Sequence, residues 1–78
     1  MAARYIAEVH VSFVCRGRNG SVARVPVGAC IIEKGSEFTA ICWEAADGRR
    51  HQRAEVPNDL AEEILKWGKL ERVRGLPP

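Results

Sequence analysis

The 78 residues predict one α+β domain: a four-stranded antiparallel β-meander with a single C-terminal helix packed on one face. Three observations carry this expectation. Runs of β-like composition, broken by three turn signals, fill the first 56 residues. After Pro57 the apolar period changes to that of a helix. And the stretch Val25-Pro26-Val27-Gly28-Ala29-Cys30-Ile31-Ile32 has no polar side chain, as expected of a central strand apolar on both faces.

Each element follows from local chemistry. Asn19-Gly20 and Asp47-Gly48 are dipeptides that two-residue hairpin turns favour, and Lys34-Gly35 is a weaker candidate between two β-like runs. They delimit strands at about 4–17, 22–33, 37–45 and 49–56. In the first, Tyr5, Ala7, Val9, Val11 and Phe13 alternate with Glu8, His10 and Ser12. Asp59 is the expected helix cap, with Glu62 completing a capping box. Leu60, Ile64 and Trp67 form the apolar stripe, and Gly68 is the expected stop. The domain is expected to span 1–73, with 74–78 a flexible C-terminal tail.

Two-residue turns would fix the register. Val9 then faces Cys30, Cys30 faces Thr39, Ile41 faces Ala54 and Trp43 faces Gln52. One sheet face collects Ala7, Val9, Val11, Phe13, Cys30, Ile32, Ile41, Trp43, Ala54 and Val56, and belongs to the helix. The other collects Val14, Val25, Val27, Ala29, Ile31, Phe38, Ala40 and Cys42, with His51 and Arg53 at its rim. One short helix cannot cover both faces. Pro26 lacks an N–H and predicts a bulge nearby, which would change the parity of the residues before it.

An apolar centre with a polar rim is the anatomy of a protein interface. The sequence therefore points to a non-catalytic interaction module using Val27, Ala29, Ile31, Phe38, Ala40 and Cys42. It would act as a homodimer, or as an inhibitor or adaptor docking on a larger partner. In size and economy, though in no motif, such a chain resembles phage-encoded inhibitors such as anti-CRISPR proteins.

The alternative is single-stranded nucleic-acid binding. Arg16, Arg18, Arg49, Arg50 and Arg53 fall in or near the first and third turns, which a meander places at one end, where they could grip phosphates. The outline resembles small single-stranded-DNA-binding coactivator domains, although none of their motif residues is present. A formal net charge of +2 permits this reading without demanding it.

Other chemistries find less support. Cys42, His51 and Glu44 would share a face, but with neither pocket nor oxyanion donors to make a thiol nucleophile, so no enzymatic activity is expected. No Cys-x-x-Cys or His-x₃-His spacing suggests zinc, and no cofactor is expected. Three widely spaced cysteines do not form a disulfide framework. No run approaches the roughly 18 apolar residues of a membrane span. A cytoplasmic location without membrane partners is the expectation.

Overall fold

The computed structural model describes residues 3–16, 20, 22–44, 48 and 51–77. It is a small α+β fold of antiparallel sheets and one helix. The strands are β1 (Ala3–Val9), β2 (Phe13–Arg16), β3 (Val22–Val25), β4 (Gly28–Lys34), β5 (Phe38–Glu44), β6 (His51–Pro57) and β7 (Leu70–Leu76); helix α1 (Asn58–Lys66) precedes β7. Five strands form one sheet in the order β6-β5-β4-β1-β7, and β2 pairs with β3 in a second, two-stranded sheet.

The four-strand meander is thus matched only roughly. The first expected hairpin exists, but it breaks in the middle. Its near half is β1 with β4, where Val9 faces Gly28 and Ala7 faces Cys30. Its far half is β2 with β3, where Phe13 faces Val25. The break falls at residues 10–12 on one side and at Pro26-Val27 on the other. Pro26 cannot donate to a ladder, and Gly28 takes a φ of +131°, a conformation that side chains disfavour. These two residues bend the strand, as the proline predicted. The bend folds β2–β3 over the face that α1 also covers, so Phe13, Cys15 and Val25 join the core.

The second turn is also displaced. The Gly35 N–H donates to the Phe38 carbonyl at 2.9 Å, so the loop is Ser36-Glu37 and not Lys34-Gly35. Ile32 faces Ile41, four places from the expected register. An even displacement keeps every side chain on its expected face. The third hairpin has the predicted register, with Ile41 facing Ala54 and Trp43 facing Gln52.

The helix begins two residues earlier than a cap at Asp59 implies, and no side chain caps it. Asn58 anchors its start to the sheet. The Asn58 N–H donates to the Glu37 carbonyl at 3.0 Å, and its Nδ2 donates to the Gly35 carbonyl at 3.1 Å. Its Oδ1 accepts from the hydroxyl of buried Thr39 at 2.7 Å. Asn58→Ala should therefore cost about 1–3 kcal/mol, because it strands a buried hydroxyl as well as losing two bonds. A urea midpoint unchanged from wild type would show that this anchor carries no stability.

Gly68 ends the helix as expected. At φ +77° it lets its N–H reach the Leu65 carbonyl and the Lys69 N–H reach that of Ile64, the two bonds of a Schellman stop. Trp67 departs from expectation. It is 57% exposed, with the Lys69 ammonium 5.6 Å from its ring, while Ala61 and Ile64 are the helix residues that are buried. The chain then returns as β7 along the outer edge of β1, burying Leu70 against Val9. Arg74, Gly75 and Leu76, expected in a flexible tail, face Ile6, Tyr5 and Arg4 in this ladder.

Candidate functional site: the open face of the sheet

Both covering elements, α1 and the β2–β3 hairpin, lie on the same side. Tyr5, Ala7, Val9, Cys30, Ile32, Ile41, Ala54 and Val56 form the core face beneath them. Among the described residues, nothing covers the other side. Register arranges that side in rows across the strands, roughly 7 Å apart. The middle row reads Arg53, Cys42, Ile31, Ile6, Arg74. The row toward the β4–β5 turn reads Glu55, Ala40, Glu33, Arg4, Leu76. At the opposite end, His51 faces Glu44 on one side of the sheet, while Ala29, Glu8 and Glu71 align on the other.

Of the six expected interface residues, five share this face. Ala29 and Ile31 are exposed, and Phe38 and Cys42 are half-buried. Ala40 is buried between Glu33 and Glu55. Val27 is exposed but sits in the bend before β4. Two residues assigned to this face are elsewhere. Val25 is fully buried, and Val14 is exposed on the β2–β3 hairpin. Val25 precedes the bend at Pro26, which changed its parity; Val14 keeps its parity but is carried away on the second sheet. Val11, assigned to the core face, lies in the break and is exposed. Ile6 was missed, although alternation with Tyr5 and Ala7 places it here.

The ladder between β4 and β5 runs from Lys34 facing Thr39 to Ile31 facing Cys42. Beyond that point β4 continues back to Gly28 and β5 forward to Glu44, so the two strands part. A depression of about 350 Å³ opens in this fork. Ile6, Ala29, Cys30, Ile31, Cys42 and Trp43 line it, with Glu44 and His51 at its mouth.

Among the described residues, the face is acidic in balance. Arg4, Arg53 and Arg74 stand against Glu8, Glu33, Glu44, Glu55 and Glu71, three against five, in a chain whose formal charge is +2. Arg4 Nε pairs with Glu33 at 3.5 Å, and Arg53 Nη1 lies 3.9 Å from Cys42 Sγ.

The expected basic rim is not assembled among the described residues. Arg18, Arg49 and Arg50 lie outside them. Arg53 is on the open face. Arg16 alternates with buried Phe13 and Cys15 on β2, so it points away from the core on the other side of the molecule. Cys42 and His51 share the open face, but Cys42 is paired with Arg53 and His51 with Glu44. No group of three or more potential metal ligands occurs among the described residues, and no helix there is long and apolar enough to cross a membrane.

Burial pushes the Cys30 thiol, beneath the fork, from 9.0 up to about 11, with Cys42 and Glu8 acting in the same direction. Burial also raises Cys15, and Tyr5 against the pull of Arg72. A raised pKa means the folded chain holds the proton more tightly. That stability is whole below pH 9 and is lost as the pH climbs through about 11. Cys30 should contribute at most about 3 kcal/mol to this loss. Denaturant midpoints over that window should fall less steeply in Cys30→Ala; equal slopes would contradict the assignment.

Comparison with protein-family profiles, curated proteins and solved structures finds no match to this chain.

Proposed function

We propose that this protein is a non-catalytic interaction module that docks through the open face of its five-stranded sheet. The observation that carries the reading is the one-sided architecture: α1 and the bent hairpin both pack on one face, leaving Ile6, Ala29, Ile31 and Cys42 at the centre of the other. Covering apolar surface is worth about 25 cal/mol per Å², a large gain for a domain with so small a core. The partner is a second copy, as in a homodimer, or a larger protein that this chain would inhibit or adapt.

Light scattering on a sizing column over a wide range of loading concentrations, with Ile31→Glu beside wild type, separates these cases. Self-association lost in Ile31→Glu supports the dimer. A wild-type monomer whose binding to a larger protein is lost in Ile31→Glu supports the second. Association that survives the substitution would place the contact elsewhere.

Single-stranded nucleic-acid binding has weaker support. Of the five arginines that suggested it, Arg16 and Arg53 point from opposite sides, and the carboxylates around Arg53 repel phosphates.

A further inference from the structure

We infer that the occupant of the open face is a basic segment of another protein: a bulky apolar side chain seated in the fork, with lysines or arginines beside it. This rests on the docking reading above and adds the chemistry of the partner.

Shape supplies the first half of the argument. Where β4 and β5 part, the depression reaches down to Cys30 and Trp43, whose side chains belong to the core face. Its walls are apolar, so the group it accepts is apolar and projects from the partner as a knob. Ala29 makes the room; a larger residue there would close the fork.

Charge supplies the second half. Among the described residues, no lysine or arginine lines the depression. Glu44 stands at its mouth, Glu8 lies beside Ala29 on β1, and Glu71 stands beyond Glu8 on β7. The two central-row arginines, Arg53 and Arg74, sit one row back on the outer strands, facing Cys42 and Ile6, while the end row into which the fork opens holds Glu8, Glu44 and Glu71 and, among the described residues, no lysine or arginine. A knob entering the fork is therefore met by carboxylates, and its neighbours must be cations for the potentials to match. The same balance disfavours a second copy on this face, because isologous contact sets one acidic surface against its like.

Selection from a random peptide library tests this. Wild-type protein is the bait, and Ile31→Glu, verified as folded by circular dichroism, is the counter-selection. The expected peptides combine a bulky apolar residue with net positive charge. Synthesised, they should bind at least tenfold more weakly to Glu8→Lys plus Glu44→Lys than to wild type, and lose affinity with salt. Ile31-dependent peptides that are neutral or acidic would overturn the inference, and so would unchanged binding to the double variant; either leaves the docking reading standing. If no peptide is enriched and the wild type forms a dimer that Ile31→Glu dissociates, the occupant is a second copy and the inference fails alone. No enrichment from a monomer removes both.

Discussion

Replacing Ile32 with alanine should destabilise the protein by about 2–5 kcal/mol, while the same change at Ile31 should cost less than about 1 kcal/mol. The two residues are neighbours in one apolar run and chemically identical. Ile32 is 1% exposed, opposite Tyr5 on one side and Ile41 on the other, in the layer under the helix. Removing its outer atoms leaves a cavity that the sheet cannot collapse. Ile31 is 38% exposed on the open face, where truncation leaves only water. A domain of this length has about 4–12 kcal/mol of stability in all, so the Ile32 variant should lose a large share of it. Urea denaturation of both at low protein concentration decides the matter. Equal losses would mean that the face bearing Ile31 is already covered in solution.

Ending the chain after Lys69 should abolish cooperative folding, a larger effect than any single substitution above. β7 supplies Leu70 to the core and all the partners of β1 along its outer edge, from Leu70 facing Val9 to Leu76 facing Arg4. Its loss turns a central strand into an edge and uncovers the end of the core beside α1. Ending the chain after Val73 keeps Leu70 and Arg72 in place and should leave a folded but weakened protein, lower by about 1–3 kcal/mol. Thermal melts by circular dichroism would read both. An unchanged melt for the shorter chain would show that the sheet is complete without β7.

The contrast between what was legible and what was not has physical causes. The register of the third hairpin was legible because Asp47-Gly48 favours a two-residue turn and the ladder from Phe38 facing Pro57 to Glu44 facing His51 has no shift. Gly68 was read correctly because only a residue tolerant of positive φ makes that stop. The bend at Pro26 was visible as a warning, but its direction was not. Folding the β2–β3 hairpin over the core depends on distant packing by Phe13, Cys15 and Val25.

β7 escaped notice for a specific reason. Its apolar residues Leu70, Val73 and Leu76 recur every third position, which is no strand period. The register shifts between Ile6 and Ala7, leaving Val73 as an extra, outward residue. A bulge erases alternation, the signal by which a strand is read. The fork was hidden because it arises where two strands cease to pair. Five of the six residues expected at an interface lie on the open face because register errors of two or four places leave faces unchanged. Ile6 followed the same rule and was overlooked beside Glu8.

The position of β1 between β4 and β7 also sets the order in which the molecule can be made. β1 is completed by β7, the strand farthest from it in sequence among the described ones, so its outer edge waits for that later segment. Ends that must meet across the full length make a fold of high contact order, slow to form compared with a helical protein of equal size. During translation the growing chain carries an open strand edge that no local segment can satisfy, and an early nascent chain should be a substrate for chaperones rather than a folded domain. Native structure should appear only as residues 70–76 become free to join the sheet.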